Sequence, residues 1–116
     1  MTDLEPPIIY LESTDFDNNG NLKKKLNLPA VVMIQANYCG HCTQAKPAFQ
    51  SFADESNKKV LCFAIEADVK QDSWKKLLNL IKPSFQGFPD YLYVGNKSKN
   101  IKGRSVDNLK DFAFKK

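Results

Sequence analysis

The stretch AVVMIQANYCGHC, residues 30–42, joins a short apolar run to two cysteines two residues apart. The run at 30–34 is apolar and rich in β-branched residues, which is typical of a buried central strand. Residues 43–58 have apolar side chains at helical spacing and predict a helix. The cysteines therefore lie at a strand-to-helix junction, where unpaired N–H groups and the helix dipole favour an anion. A thiolate is such an anion, so we expect Cys39 to be a nucleophile.

His41 stands between the two cysteines, where a positive charge on its ring would stabilise the thiolate. A second interpretation of the motif is a metal site made of Cys39, His41 and Cys42. A closed zinc site needs a fourth ligand, however, and the chain has one histidine, so we predict no metal. Cys62 lies inside the apolar run 60–65 and is expected to be a buried, inert thiol.

The composition indicates one soluble domain. The chain has 116 residues, of which 42% are hydrophobic and 26% are charged. Its net charge of +4 comes from scattered lysines and the single arginine Arg104, which argues against a nucleic-acid surface. The apolar runs are far too short for a membrane span, and the acidic N-terminus does not resemble a secretion signal. We therefore expect a cytoplasmic monomer, or a virion protein if the scarcity of arginine reflects a large virus as the source.

The hydrophobic patterns predict an alternating order of strands and helices. We expect residues 1–7 to be a loosely attached N-terminal lead and residues 8–116 to form the domain. The predicted strands are 8–11, 30–34, 60–65, 91–94 and 100–103; the predicted helices are 22–28, 43–58, 71–81 and one capped by Ser105 or Asp107. This order predicts an α/β fold, a three-layer α/β/α sandwich with a central mixed sheet and a C-terminal antiparallel hairpin.

Four features occur in a familiar order along the chain. They are Cys39-Gly40-His41-Cys42 after a buried strand, Pro47 inside the following helix, Phe88-Pro89 before the hairpin, and Gly103 in the last predicted strand. With these features the chain resembles the thioredoxin family from about Ile8 to Phe112. The Cys-Gly-His-Cys form is similar to the protein disulfide isomerase branch of that family.

The resemblance implies thiol–disulfide oxidoreductase activity. Cys39 would attack a substrate disulfide, Cys42 would resolve the mixed disulfide, and His41 would tune the pair. The resemblance implies no bound cofactor, since an intramolecular Cys39–Cys42 disulfide would carry the electrons. The partners would be protein or peptide thiols and disulfides, with glutathione or a reductase as a candidate electron donor.

The resemblance also implies a substrate groove around the cysteine pair. Pro89 matches the cis-proline that faces the pair, and the backbone beside Phe88 would hold an extended substrate. Tyr38 and Gly40 would flank the same groove. Gly103 matches a small residue that leaves room for substrate next to the sulfur.

Three positions depart from the family pattern. Met33 occupies the place of a buried acid that helps proton transfer at the second cysteine, and Gln35 replaces a usual aromatic residue. Asp90 follows Pro89 where threonine is common, and we expect it to be a solvated turn acid. Because the buried acid is absent, a non-catalytic binding module on the same fold remains an alternative.

Overall fold

The computed structural model describes residues 4–36, 38–67 and 71–115. Four strands and three α-helices alternate along these residues, with a short 3-10 helix at Ser13–Asp15. The strands are β1 (Ile9–Leu11), β2 (Ala30–Gln35), β3 (Leu61–Glu66) and β4 (Asp90–Tyr93). The helices are α1 (Gly40–Glu55), α2 (Asp72–Ile81) and α3 (Val106–Phe114). Every predicted strand and helix has a counterpart except the helix at 22–28 and the strand at 100–103.

The sheet has the strand order β1-β3-β2-β4. Strands β1, β3 and β2 are parallel, whereas β4 runs antiparallel to β2. All six residues of β2 are buried, as expected for a central apolar strand covered on both faces. The cysteine motif follows the carboxyl end of this strand.

Helices cover both faces of the sheet and create two hydrophobic cores. Because side chains alternate along a strand, Met33 points to one core and Ile34 to the other. The first core lies under α1 and α3 and includes Phe49, Phe52, Leu109, Phe112 and Ala113. The second core lies under α2 and includes Trp74, Leu78 and Ile81. The predicted three-layer sandwich is therefore confirmed.

Residues 4–7 are attached to the domain, in contrast to the loose lead expected for residues 1–7. Leu4 is buried in the first core, and its amide donates to the Tyr10 hydroxyl over 3.2 Å. The Glu5 amide donates to the side chain of Gln50 on α1 over 2.8 Å. Residues 1–3 lie outside the described residues.

The helix predicted at 22–28 does not form. Leu22 pairs with Phe16 in an isolated bridge, and the Lys23 amide donates to the Asp15 carbonyl over 2.9 Å. Both Leu22 and Leu26 pack on the second core from irregular backbone. Seven residues make a marginal helix, so these tertiary contacts determine the backbone conformation instead.

The predicted C-terminal hairpin also does not form, because the chain turns immediately after β4. The Asn96 amide donates to the Tyr93 carbonyl over 3.0 Å, and Gly95 adopts a φ of +97°, which suits glycine. The Lys99 ammonium lies 4.4 Å from the ring centroid of Tyr93, and the side chain of Ile101 packs on the first core. Residues 94–105, all of them described, contain no strand.

Candidate active site

The first cysteine caps the N-terminus of α1. Cys39 has an extended backbone, and its sulfur accepts a hydrogen bond from the Cys42 amide over 3.1 Å. This contact satisfies one of the N–H groups that a helix leaves unpaired at its first turn. The sulfur therefore lies at the N-terminus of α1, where the first backbone N–H groups of the helix point. Cys39 is half-buried, so its sulfur remains accessible.

The second cysteine lies one turn into the helix and is fully buried. Burial, with a side-chain hydrogen bond between the protonated Cys42 thiol and Cys39 as the next cause, raises the pKa of the Cys42 thiol from 9.0 to about 12. Cys39, Cys42 and Cys62 are free thiols in the structure. The two cysteines thus differ in exposure, since Cys39 is partly buried and Cys42 is fully buried.

The backbone at residues 88–89 faces the first sulfur. The Cys39 thiol donates to the Phe88 carbonyl over 3.6 Å, and the Phe88–Pro89 peptide bond is cis. The ring of Tyr38 is 60% exposed and meets the Phe88 ring edge-on at 6.2 Å between centroids. Phe85, which the sequence analysis did not single out, packs on Phe88 at 5.1 Å. Three aromatic rings thus form a row beside the reactive sulfur.

The other predicted site residues differ in their surroundings. His41 and Gly40 are exposed in the first turn of α1, and a Cβ added to Gly40 would meet nothing within 4 Å. Gly103 borders a surface groove with Pro89, but it lies in irregular backbone instead of a strand. A Cβ on Gly103 would overlap the side chain of Asn108, so local packing requires a small residue there.

The described residues contain no group of three or more His, Cys, Asp and Glu side chains placed to hold a metal ion. They also contain no helix long and apolar enough to cross a membrane.

Comparisons with known proteins agree with this geometry. The sequence model of the thioredoxin family matches residues 7–114. The chain belongs to the thioredoxin family. It is 41% identical to the thioredoxin-like protein 453L of Invertebrate iridescent virus 6, with 95% of this chain and 94% of that protein covered.

One further curated relative and two solved structures are similar to the chain. It is 31% identical to the protein disulfide-isomerase tigA of Aspergillus niger over 94% of this chain but 30% of that protein. The crystal structure of the J-Trx1 fragment of ERdj5 superposes with a TM-score of 0.66 at 25% identity, covering 93% of this chain and 49% of the fragment. The ERdj5 Trx4 domain shares the fold, with a TM-score of 0.62, 21% identity and 87% of both chains covered. The family therefore points to thiol–disulfide oxidoreductases as the class.

The position of the family's buried acid is apolar in this thioredoxin-family chain. Met33 is fully buried in the first core and pairs across the sheet with Tyr91. Two residues later, Gln35 is fully buried, and neither its Nε2 nor its Oε1 atom has a hydrogen-bond partner among the described residues. The Tyr91 hydroxyl is likewise buried without a partner in this part of the chain, and burial raises its pKa above 10.0. Of the positions that depart from the family pattern, Gln35 thus places unpaired polar atoms among the buried described residues.

Asp90 is not the solvated turn acid that the sequence suggested. Its Oδ1 atom lies 2.7 Å from the ammonium nitrogen of Lys82, a residue that is 1% exposed. The same ammonium donates to the Tyr91 carbonyl over 2.6 Å. Lys82 is one of many lysines in the sequence, and no local signal distinguished it. The fold brings it from the end of α2 to the residue that follows Pro89.

Proposed function

We propose that this chain is a thiol–disulfide oxidoreductase that exchanges disulfides with protein or peptide substrates through Cys39 and Cys42. The observation that carries the proposal is the position of the Cys39 sulfur. It accepts the Cys42 amide at the start of α1 and lies 3.6 Å from the Phe88 carbonyl. A nucleophilic sulfur at a helix N-terminus therefore stands beside a backbone segment that can hold an extended peptide.

The reaction has two exchange steps. The Cys39 thiolate bonds to one sulfur of the substrate disulfide, and the other substrate sulfur leaves as a thiolate. Cys42 then loses its proton and attacks the Cys39 sulfur, which releases the second substrate thiolate and forms the Cys39–Cys42 disulfide. The substrate gains two electrons and the protein loses two. Glutathione or a reductase is the proposed electron donor that returns the pair to dithiols.

The row of aromatic rings supports a peptide substrate. Tyr38 is exposed, and its ring meets Phe88 beside the sulfur, so an apolar side chain near the substrate cysteine would gain contact area there. The exposed His41 adds a positive charge near the pair when it is protonated. We expect this charge to move the redox midpoint toward the isomerase value of about −180 mV and away from the thioredoxin value of about −270 mV.

The test is the redox equilibrium of the pair in graded glutathione buffers, read by alkylation of free thiols and mass. The expected result is an intramolecular Cys39–Cys42 disulfide with one midpoint, which His41→Pro lowers toward the thioredoxin value. Cys62→Val is the matched control and should leave the midpoint unchanged. If no intramolecular disulfide forms at any buffer ratio, the exchange mechanism is wrong.

A non-catalytic binding module is the second candidate, and one observation favours it. Met33 places a buried methyl thioether where the family has its acid, and the pKa of Cys42 is raised to about 12. Both features slow the second exchange step. Turnover of a peptide disulfide with reduced glutathione separates the candidates, because a binding module would stop at the mixed disulfide after releasing one substrate thiol and would not turn over.

A further inference from the structure

A buried ion pair lies two residues from the carbonyl that meets the reactive sulfur. The ammonium of Lys82 is 2.7 Å from Oδ1 of Asp90 and 2.6 Å from the Tyr91 carbonyl oxygen. The same Oδ1 atom accepts the Tyr91 amide over 2.8 Å. Lys82 is 1% exposed, and the side chain of Asp90 is 19% exposed. Three hydrogen bonds therefore hold the first two residues of β4.

The lysine that makes these contacts is itself fixed at the end of α2. Its amide donates to the Leu78 carbonyl over 2.9 Å, and its carbonyl accepts the Phe85 amide over 2.9 Å. Burying an ammonium group is costly unless its charge and its donors are satisfied, and here they are satisfied by Asp90 and Tyr91. The ion pair thus links the C-terminal end of α2 to the first residues of β4.

This ion pair lies next to residues 88–89, the backbone segment that faces the Cys39 sulfur. Strand pairing holds β4 to β2 from Asp90 onward, with Asp90 opposite Ile34. Phe88 and Pro89 precede the strand, so the sheet register does not fix them directly. Any displacement of Asp90 would move the Phe88 carbonyl, which lies 3.6 Å from the Cys39 sulfur.

We propose that Lys82 and Asp90 form a positioning pair that holds residues 88–90 against Cys39 while it attacks a peptide disulfide. Neither side chain takes part in the chemistry. The pair keeps the backbone beside Phe88 where an extended peptide can align its sulfur with Cys39. The inference rests on the proposed function and concerns its first step, in which the Cys39–substrate bond forms and the substrate S–S bond breaks.

The experiment measures that step alone in a Cys42→Ser background, where the mixed disulfide accumulates. Two disulfides are compared: a peptide disulfide that spans the groove, and a small aromatic disulfide reagent that needs only the sulfur. In Lys82→Met we expect the peptide rate to fall about tenfold or more, since displacement by a fraction of an ångström disturbs a reacting geometry. The small reagent should react within about twofold of the parent, because it makes no contact with the positioned backbone.

Substitutions of Asp90 separate position from charge. Asp90→Asn keeps an oxygen that can accept from Tyr91 and Lys82, so its peptide rate should stay within about threefold of the parent. Asp90→Leu removes that oxygen and should behave like Lys82→Met. The control is Lys110→Met, which breaks the exposed Lys110–Glu55 pair and should change neither rate.

A folded Lys82→Met chain with the parent's peptide rate would overturn the proposal. Equal losses with both reagents, or an Asp90→Asn rate as low as that of Asp90→Leu, would do the same. If a single variant fails to fold, the double variant Lys82→Met/Asp90→Leu replaces the ion pair with apolar side chains, an exchange that proteins often tolerate. It should show the same selective loss. The proposed function fails separately, when the parent chain with both cysteines forms no intramolecular disulfide.

Discussion

The buried resolving cysteine makes a quantitative prediction about pH. The pKa of Cys42 is raised from 9.0 to about 12, and burial, the largest cause, persists when Cys39 is bonded to a substrate. The part of this rise that Cys39 causes is lost in the mixed disulfide, so three pH units are the upper limit and reduce the thiolate fraction at neutral pH at most about a thousandfold. The more basic thiolate is a better nucleophile, which with a Brønsted coefficient of about 0.4–0.5 recovers about 16- to 30-fold. We therefore expect the second exchange step to be slower than for a thiol of ordinary pKa by up to about 30- to 60-fold.

The assay is the two-phase release of a chromophoric thiol from a small aromatic disulfide reagent. Cys39 releases the first thiol in a phase whose rate rises with reagent concentration. Cys42 then attacks the Cys39 sulfur and releases the second thiol in a phase independent of that concentration. Because the rate follows the thiolate fraction, the second phase should quicken about tenfold per pH unit from about pH 6 to about pH 10. In Cys42→Ser the second phase should be absent.

The shape of the pH profile decides whether this reasoning is right. A second phase that levels off between about pH 7 and about pH 9 would mean that the Cys42 thiol ionises near its ordinary pKa or passes its proton to another group. Either result would refute burial as the controlling factor. The first phase serves as the internal control, since it depends on Cys39 and the reagent alone.

Three further predictions concern buried groups of the first core. Burial raises the pKa of Cys62 from 9.0 to about 12, so an unfolded chain loses this proton above pH 9 while the folded chain keeps it. The contribution of Cys62 to stability is therefore complete below pH 9 and falls by about 1.4 kcal/mol per pH unit toward pH 12, and Cys62→Val should remove this part of the alkaline loss in urea unfolding. Gln35→Met replaces an unpaired buried amide and should raise the free energy of unfolding by about 1 kcal/mol. Met33→Gln should lower the free energy of unfolding. The opposite order of urea midpoints would contradict this prediction. Met33→Asp supplies the family's acid and should quicken the second exchange phase at least about tenfold. It should also lower the free energy of unfolding by about 3 kcal/mol. An unchanged rate of the second phase would show that the missing acid does not limit this step.

The local sequence was sufficient for the strand-to-helix junction that carries the cysteines. A β-branched apolar run, a cysteine at the helix cap and helical spacing after it are short-range signals, and each depends on residues close together in the chain. The same holds for the helices predicted at 71–81 and after Ser105, whose observed counterparts bury Trp74, Leu109 and Phe112 in the cores. It also holds for Cys62, whose apolar neighbours predicted burial.

The two elements that sequence reasoning misplaced, at 22–28 and 100–103, are short segments with weak local preference. Their backbone follows contacts made elsewhere, such as the bridge from Leu22 to Phe16 and the Lys99 ammonium over the Tyr93 ring. A segment of four to seven residues gains too little from its own hydrogen bonds to resist such contacts.

The sequence by itself located the residues of the candidate site: two cysteines at the start of a helix, a histidine between them and a proline that faces them. Only the tertiary structure decided how their surroundings are held. Lys82 and Asp90 are eight residues apart and meet because α2 ends beside the start of β4. Gln35 is buried, without a partner among the residues that the structure describes, where helices cover both faces of the sheet. Ion pairing and desolvation depend on distances through space, and no local pattern in the chain encodes those distances.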